Sequence, residues 1–220
     1  MPDESGIKTG GRLLAVGDIH GCLDQLRRLL EQVQPTPDDR VVFLGDYIDR
    51  GPATREVIDF LIDFSRSFPR SVFLKGNHEA MFLDFLTGRE RLPFLLNGGQ
   101  ATLESYERAR SVTIPPEHRA FLAALRLSFE TERFIFVHAG LRPGLVLKEQ
   151  REEDLLWIRR DFLDALEADW GKTVVFGHTP LQEPLIAPGR IGLDTGAVYG
   201  RYLSCCDVEN LRFWRYPSAD

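Results

Sequence analysis

Five short polar segments, each directly after an apolar run, constrain the fold of this chain more than any other feature. They are Gly17–Gly21, Gly45–Gly51, Gly76–Glu79, Val137–Gly140 and Gly177–Thr179. Four of the five histidines in the sequence lie in these segments. In an open α/β sheet, ligands bind beyond the carboxyl ends of the strands. The pattern therefore predicts an α/β fold whose five loops meet at one edge.

The first third of the chain alternates between strand and helix patterns. Apolar runs at Arg12–Val16, Val41–Leu44 and Ser71–Leu74 predict strands, and helical spacing of apolar residues predicts helices over 22–33 and from Pro52 to Phe64. Strand–helix–strand order is typical of parallel crossover units.

The middle of the chain breaks this alternation. Helical patterns at 79–86, 102–110 and 115–127 predict a helical cap over about 79–128, inserted between two halves of one domain that spans 1–220. The second half resumes with a strand at Phe134–Val137, a helix over 153–169 and a strand at Val174–Phe176. Several strands are expected over 191–216, and residues 1–11 read as a loose leader.

Composition excludes several classes of protein. With 43% hydrophobic and 27% charged residues, the chain is typical of a soluble globular enzyme, and its net charge of −6 gives no basic surface for nucleic-acid polymers. No apolar stretch reaches the ~18–20 residues of a membrane span. Three cysteines are too few for a disulfide framework, and the N-terminus does not read as a secretory signal. A cytoplasmic location is the expectation.

The side chains in the five segments are ligands for divalent metals. Asp, Asn and His offer the oxygen and nitrogen atoms that hard and borderline cations prefer. In an extended segment Asp18 and His20 would point the same way, so both could face one metal. Asn77 and His78 are adjacent and should point apart, so one can bind metal while the other reaches the substrate.

This ligand set predicts hydrolysis of a phosphoester by two metals. Two divalent ions ~3.5–4 Å apart can share a carboxylate and a hydroxide, and the hydroxide can attack phosphorus in line. Arginines can bind the remaining phosphoryl oxygens in a forked geometry, and a histidine beside a carboxylate can protonate the leaving group. The ligands suit Mn²⁺, Fe or Zn²⁺.

Together the motifs resemble those of the calcineurin-like metallophosphoesterase superfamily. Within it they are most similar to the phosphoprotein phosphatase (PPP) family, in particular the bacterial and phage-lambda-type serine/threonine phosphatases. Leu95–Gly99, Leu156–Arg159 and Ile191–Val198 also resemble segments of that group, so the resemblance runs from about Leu14 to Tyr199. It implies a four-layer fold of two mixed β-sheets packed face to face and flanked by helices.

The resemblance also implies roles for particular residues. One metal would be bound by Asp18, His20 and Asp46, and the other by Asp46, Asn77, His138 and His178, with Asp46 bridging. His78 would be the general acid, oriented by Asp49. The substrate phosphate would be bound by Arg50, Asn77 and Arg159. The two metal ions are expected to be Mn²⁺, with Fe or Zn²⁺ as alternatives.

Four residues keep open interpretations. Arg160 could replace its neighbour Arg159 as the second phosphate ligand. Asp194 is either a carboxylate that orients a metal-binding histidine or an ordinary turn residue. Arg142 is interpreted as a solvated loop arginine, and His118 as a surface or helix-face histidine.

The expected function is metal-dependent hydrolysis of phosphomonoesters on serine/threonine phosphoproteins, because Asp49 and Glu79 resemble the protein phosphatases. The main alternative is symmetrical hydrolysis of diadenosine tetraphosphate. Enzymes of that kind share Gly-Asp-x-His-Gly-Cys, which here ends at Cys22, and Asp-Thr-Gly-Ala-Val, which here begins at Asp194. A distant alternative is a non-catalytic binding protein on the same fold. Partners would be phosphoproteins or dinucleoside polyphosphates, and the oligomeric state is left open.

Overall fold

The computed structural model describes residues 10–217, apart from the side chain of Arg108. The predicted leader lies largely outside them. Strands within this range are β1 Leu13–Val16, β2 Arg40–Phe43, β3 Val72–Phe73, β4 Glu107–Arg108, β5 Ser111–Val112, β6 Ser128–Glu130, β7 Phe134–Val137, β8 Thr173–Phe176, β9 Leu185–Ala187, β10 Arg190–Gly192, β11 Tyr202–Asp207 and β12 Arg212–Pro217. Helices are α1 Leu23–Val33, α2 Thr54–Ser67, α3 Asn77–Thr87, α4 Leu92–Phe94, α5 Gln100–Tyr106, α6 Pro116–Ala123, α7 Glu152–Trp157 and α8 Arg160–Leu163.

Two mixed five-stranded sheets form the centre of the molecule. The first has the order β12-β11-β1-β2-β3, and the second has the order β6-β7-β8-β10-β9. Strands β1, β2 and β3 run parallel, as do β7, β8 and β10, so each sheet presents three adjacent carboxyl ends at one edge. In the first sheet, Val16 at the end of β1 pairs with Phe43 at the end of β2.

Alternation of side chains along each strand produces four layers. On β1, Ala15 faces a core between the sheets that also contains Val42 and Phe136, whereas Leu14 and Val16 face a core shared with α1 and α2. On the second sheet, residues of β7 and β8 also pack outward onto α7 and α8. The predicted architecture of two packed sheets flanked by helices is confirmed.

The segment over 79–128 packs on the same side as α2. Phe82, Phe94, Tyr106 and Leu122 lie in the hydrophobic core that α1 and α2 share with the first sheet. His118 is fully buried here, with Nε2 2.8 Å from Asp59 Oδ1 and Nδ1 2.8 Å from the Tyr106 hydroxyl. Of the two interpretations of His118, the surface histidine is wrong; the residue lies on the buried face of α6 and links that helix to α2 and α5.

Two predicted helices in this segment are too long. The helix expected over 102–110 ends at Tyr106, and a β4–β5 hairpin follows, with Ala109 and Arg110 at positive φ in its turn. The helix expected over 115–127 ends at Ala123. Beyond it, Arg126 exchanges backbone hydrogen bonds with Phe73 and Lys75, so tertiary pairing replaces further helical turns.

The helix expected over 153–169 is also wrong in extent. It is divided into α7 and α8, and Arg159 between them has non-helical φ and ψ of −131° and −94°. The carbonyl of Leu155, which would accept from Arg159 in a continuous helix, instead accepts the N–H of Ala139 at 2.8 Å. Strands β6 and β9 are additions that the sequence pattern did not predict. No helix over 10–217 has the length and apolar character to cross a membrane.

A partly buried ion pair connects Arg12, directly before β1, to Asp39 in the turn before β2. The Asp39 carboxylate accepts from Arg12 N at 2.6 Å, from Arg12 Nη2 at 2.7 Å and from Thr36 N at 2.8 Å. Burial raises the pKa of Asp39, but these donors outweigh burial and leave the pKa below its ordinary value. Ionised Asp39 therefore stabilises the folded chain.

We predict that Asp39→Asn lowers the free energy of unfolding by about 1–3 kcal/mol at pH 7, because charged hydrogen bonds are lost. Asp38→Asn is the matched control, since the Asp38 side chain is exposed. The folded-state pKa of Asp39 is depressed, so its contribution is complete above the unfolded pKa of about 3.9 and is lost as the pH falls through the folded pKa. Urea denaturation at pH 7 and pH 3 measures both effects. An equal loss for the two variants would contradict the role of Asp39.

Candidate metal centre and active site

The predicted metal ligands meet at the carboxyl ends of the two sheets. All six are buried, with at most 4% of each residue exposed: Asp18, His20, Asp46, Asn77, His138 and His178. Asp18 and His20 follow β1, Asp46 follows β2, His138 follows β7 and His178 follows β8. Asn77 is the first residue of α3. The parallel strands therefore bring together residues up to 160 positions apart.

Asp46 lies at the centre of this cluster. Its Oδ2 is 3.5 Å from His20 Nε2 and 3.9 Å from His78 Nε2, and its Oδ1 is 3.4 Å from His138 Nε2. Two three-residue groups have metal-binding spacing, one of His20, Asp46 and His78 and the other of Asp46, His138 and His178. They share Asp46, the arrangement that a bridging carboxylate requires.

The other two predicted ligands extend the cluster. The Asp18 carboxylate accepts the backbone N–H of His178 at 3.0 Å, although Asp18 belongs to neither three-residue group. Asn77 Oδ1 is 3.0 Å from His138 Nε2. Asp18 and His20 do not alternate along an extended segment as the sequence predicted, because His20 has a φ of +47°.

Backbone carbonyls fix the orientation of two imidazoles. His20 Nδ1 lies 2.7 Å from the Ile48 carbonyl, and His138 Nδ1 lies 2.8 Å from the Leu44 carbonyl. A carbonyl oxygen only accepts, so both Nδ1 atoms carry hydrogen and both Nε2 atoms turn toward the cluster. Such second contacts are typical of metal-binding histidines.

His178 supplies the observation that tests whether a metal fits. Its Nε2 is buried and has no hydrogen-bond partner among the described residues. Burial, and next the charge of His138, lower the pKa of His178 to about 2, so the imidazole is neutral. A buried, neutral imidazole with a bare nitrogen has the chemistry of a metal ligand. The residues present fit a divalent cation.

The buried carboxylates need positive charge nearby. Burial, and then the charges of Asp194 and Asp46, raise the pKa of Asp18 well above its ordinary value. At Asp46 burial acts in the same direction, but the neighbouring histidines outweigh it and hold the pKa well below its usual range. Uncompensated buried charge is costly, and divalent cations would offset the repulsion between these carboxylates.

His78 forms a pair with Asp49. His78 Nδ1 lies 2.6 Å from Asp49 Oδ2, and Thr102 donates its hydroxyl to Asp49 Oδ1 at 2.5 Å. Burial raises the pKa of Asp49 to about 8. Burial also lowers the pKa of His78 to about 4, although the negative charge of Asp46 acts to raise it. The pair therefore holds a single proton near neutral pH.

Two arginines predicted to bind phosphate lie beside the cluster. Arg50 Nη1 donates to His20 Nε2 at 2.6 Å, and the Arg50 guanidinium lies 5.6 Å from the centre of the Tyr199 ring. The positive charge of Arg159 lowers the pKa values of both His78 and His178, which places Arg159 near the site. Arg160 begins α8 and lines the same cavity as Arg159.

Strained backbone shapes these loops. His20, Asp46, Asp49, Arg50 and His178 all have φ values between +47° and +70°, a region that residues other than glycine rarely adopt. Such strain clusters at functional sites, where the surrounding structure compensates for it.

Two glycines leave the room that the buried carboxylates occupy. A Cβ at Gly76 would lie 2.0 Å from Asp46 Oδ1, and a Cβ at Gly177 would lie 2.1 Å from Asp18 Oδ1. Any larger residue at either position would displace a predicted metal ligand.

Glu79 stabilises the loop that carries Asp46. Its carboxylate accepts four backbone N–H groups, from Asp46 and Gly76 at 2.9 Å, from Tyr47 at 2.8 Å and from Ile48 at 3.3 Å. Burial and the charge of Asp46 raise the pKa of Glu79, but two backbone N–H donors face each of its oxygens and leave no acceptor for a carboxyl proton, so the geometry favours the ionised form. Glu79 therefore acts inside the protein, beneath the site.

We predict that Glu79→Gln lowers the free energy of unfolding by about 2–5 kcal/mol, because the amide NH₂ would face two backbone N–H groups and leave them unsatisfied. Glu90→Gln is the control, since Glu90 is exposed. Thermal and urea denaturation measure the difference. Indistinguishable stability of the two variants would show that Glu79 is protonated in the folded protein.

The structure answers two of the open interpretations. Asp194 accepts the N–H of Gly196 at 2.9 Å and forms no hydrogen bond or ion pair with a histidine side chain among the described residues, which favours the turn role. Arg142 is not simply solvated, because it pairs with Asp154 at 2.5 Å and with Asp161 at 3.3 Å.

Sequence reasoning missed three residues at the site. Thr102 comes from α5 in the helical segment, and no pattern in the sequence connects it with Asp49, 53 positions away. Trp157 lies with its ring centre 6.0 Å from that of His178, and Tyr199 lies over Arg50. Trp157 falls inside a segment that carried the resemblance, Leu156–Arg159, and Tyr199 directly follows another, Ile191–Val198; this was the one available signal.

Comparison with known proteins decides the family. The sequence model for calcineurin-like phosphoesterases matches residues 11–208, which include every residue of the cluster described above. The chain belongs to the calcineurin-like phosphoesterase family. It is therefore a metallophosphoesterase, and its family uses divalent metals of the kind that the buried cluster fits.

Two curated proteins resemble the chain over nearly its whole length. The bis(5'-nucleosyl)-tetraphosphatase PrpE (asymmetrical) of Halalkalibacterium halodurans is 26% identical over 230 residues, covering 92% of each chain. The protein of the same name from Bacillus thuringiensis is 26% identical over 231 residues, covering 93% of each.

Solved structures agree with the family fold. A crystal structure provisionally described as a diadenosine tetraphosphatase matches with a TM-score of 0.76 and 25% identity, covering 97% of this chain and 96% of the other. A serine/threonine phosphatase from Saccharomyces cerevisiae matches with a TM-score of 0.71 and 14% identity, covering 97% and 82%. The latter likeness shows the shared fold alone.

Proposed function

We propose that this chain hydrolyses dinucleoside polyphosphates asymmetrically, so that a dinucleoside tetraphosphate and water give a nucleoside monophosphate and a nucleoside triphosphate. The observation that carries the proposal is the 26% identity to asymmetrical bis(5'-nucleosyl)-tetraphosphatases over about nine-tenths of both chains. These relatives favour the dinucleotide alternative over the expected serine/threonine phosphatase. They also favour asymmetrical rather than symmetrical cleavage.

The two residues that had favoured a protein substrate have other roles in the structure. Glu79 is fully buried and binds backbone amides, so it does not reach a substrate. Asp49 is also fully buried and contacts His78 and Thr102. Neither side chain is placed to distinguish a phosphoprotein from a nucleotide, so these two residues no longer favour a protein substrate.

In this proposal the metal-binding roles follow the buried cluster. Asp18, His20 and Asp46 hold one divalent ion, and Asp46, Asn77, His138 and His178 hold the other. Mn²⁺ is the proposed metal, with Fe or Zn²⁺ as alternatives. When bound, the two ions supply a hydroxide nucleophile near neutral pH and neutralise phosphoryl charge.

The remaining residues bind the phosphoryl group and move a proton. Arg50 and Arg159 donate to its oxygens, because their guanidinium groups offer forked donors on the two sides of the cluster. Asn77 contacts it through its amide. For a strongly basic leaving group, the proton shared by His78 and Asp49 would pass from His78 Nε2 to the leaving oxygen while Asp49 holds the ring through Nδ1; a nucleotide leaving group makes little use of this proton.

Turnover of two substrates side by side tests the proposal. Metal-stripped protein would be reloaded with Mn²⁺ and given diadenosine tetraphosphate or a phosphoserine/phosphothreonine peptide, with product identity read by ion-exchange chromatography. We expect faster turnover of the dinucleotide, with AMP and ATP as products. ADP as the sole nucleotide product would show symmetrical cleavage, and faster turnover of the peptide would restore the protein-phosphatase interpretation.

The same preparation excludes or establishes a non-catalytic role. We expect about two metal ions per chain and turnover that depends on them. Protein that binds no metal and turns over neither substrate would be a binding protein on this fold.

A further inference from the structure

A basic cavity of about 580 Å³ adjoins the metal cluster. It is formed by α7, α8 and the loop after β7, and its lining includes Trp157, Arg151, Arg159 and Arg160. Trp157 connects the cavity to the cluster, because its ring centre lies 6.0 Å from that of His178 at an interplanar angle of 84°. The volume lies within the ~300–1,000 Å³ of small-molecule sites.

Three guanidinium groups in this cavity are available to a ligand. Arg142 also lines it but is held by Asp154 and Asp161. In contrast, Arg151, Arg159 and Arg160 have no carboxylate within 4.0 Å among residues 10–217, and all three are exposed. With Glu153 also present, the lining carries four arginines and three carboxylates, a net charge of +1 (4 − 3) in a chain whose net charge is −6.

Trp157 offers an aromatic surface at the same place. It is 40% exposed, whereas its neighbours Leu155 and Leu156 are buried. An exposed indole beside arginines is suited to a nucleobase, since bases stack on aromatic rings. Neither the metal cluster nor the His78–Asp49 pair uses this ring.

The groove on the other side of the cluster has a different character. Its volume is about 480 Å³, and its lining includes Arg50, Asp24 and the apolar residues Ala197 and Val198. The one arginine and the one carboxylate there balance (1 − 1 = 0). The two sides of the cluster therefore differ in their capacity for negative charge.

We propose that the cavity around Trp157 binds the nucleoside triphosphate half of the substrate. The base stacks on Trp157, and Arg151 and Arg160 bind the phosphates distant from the cleaved bond, beyond the one that Arg159 contacts. The triphosphate half, which carries more charge, binds in the cavity, where three guanidinium groups are unpaired. The monophosphate half lies in the groove beside Arg50. This assignment rests on the proposed function and accounts for asymmetrical cleavage.

Ligand binding by Trp157→Ala tests the stacking contact. ATP, inorganic triphosphate and AMP would be measured as competitive inhibitors of the hydrolysis of a small chromogenic phosphodiester by Mn²⁺-loaded protein, and also by quenching of tryptophan fluorescence in metal-free protein. We expect Trp157→Ala to lower the affinity for ATP about 10- to 100-fold. The affinity for triphosphate should change less than about twofold, and Trp157→Phe should keep most of the affinity for ATP. Because ATP and triphosphate both chelate metal, the ratio of their affinities is insensitive to chelation.

Charge variants test the rest of the cavity. Arg151→Gln and Arg160→Gln should each lower the affinities for ATP and for triphosphate equally, by about 5-fold or more, and should lower the affinity for AMP less. Arg28→Gln, an exposed arginine on α1, is the control. Metal content and melting temperature are measured for every variant, so that a general loss of structure is recognised.

Two results would overturn the proposal. One is an equal loss of ATP and triphosphate affinity in a folded, metal-replete Trp157→Ala protein. The other is wild-type protein that binds AMP as tightly as ATP. Failure of the proposed function has a different signature, because fluorescence quenching by ATP through Trp157 does not require dinucleotide hydrolysis.

Discussion

Replacing Asp46 with Asn is expected to reduce turnover of diadenosine tetraphosphate by about 10³-fold or more. Asn keeps the shape of the side chain but removes the charge that the two three-residue groups share. A loss of about 4 kcal/mol of transition-state stabilisation corresponds to that factor, and metal ions commonly supply several kcal/mol. The neighbouring histidines would also lose the carboxylate closest to them.

The measurement pairs kinetics with metal analysis. The kcat of Asp46→Asn would be determined with Mn²⁺ in excess, and the metal content would be measured by plasma mass spectrometry after gel filtration. Asp39→Asn is a matched control, since it makes the same chemical change at a buried carboxylate far from the cluster. Full turnover by Asp46→Asn, or retention of two ions per chain with wild-type affinity, would refute the bridging role.

The convergence of the cluster could be predicted because topology determines it. Parallel strands place their carboxyl ends together, so Asp46 and His138 meet although they are far apart in sequence. The apolar runs that precede these residues clearly predict buried strands. Geometry within the loops could not be predicted, because the positive φ of His20 and Asp49 depends on contacts made only in the folded chain.

Sequence analysis did not identify the residues whose positions depend on tertiary contacts. The break at Arg159 arises because the N–H of Ala139 bonds to the carbonyl of Leu155, and no local pattern encodes this hydrogen bond between the loop after β7 and α7. That break ends α7 at Trp157, beside His178. Glu79 and Asp49 are a related case, because their contacts are internal and their identity alone does not show this.

The chemistry of the leaving group links His78 to the choice of substrate. Cleavage of a dinucleoside polyphosphate expels a nucleotide phosphate, whose conjugate acid has a pKa of about 6, so it leaves near neutral pH without being protonated. Cleavage of phosphoserine expels an alkoxide, a much stronger base that needs a proton in the transition state. Burial lowers the pKa of His78 to about 4, which makes the imidazolium scarce at neutral pH. We therefore expect His78 to matter less for a nucleotide leaving group than for an alkoxide.

Accordingly, we expect His78→Asn to reduce kcat by about 10²–10⁴-fold for a phosphoserine peptide but by less than about 10-fold for diadenosine tetraphosphate. A series of aryl phosphates should show rates that depend more steeply on leaving-group pKa in the variant than in the wild-type protein. His118→Asn is the control, because His118 is equally buried and also pairs with a carboxylate, Asp59, away from the cluster. Equal losses for the peptide and the dinucleotide would show that His78 acts on the phosphoryl group or the metals rather than on the leaving oxygen.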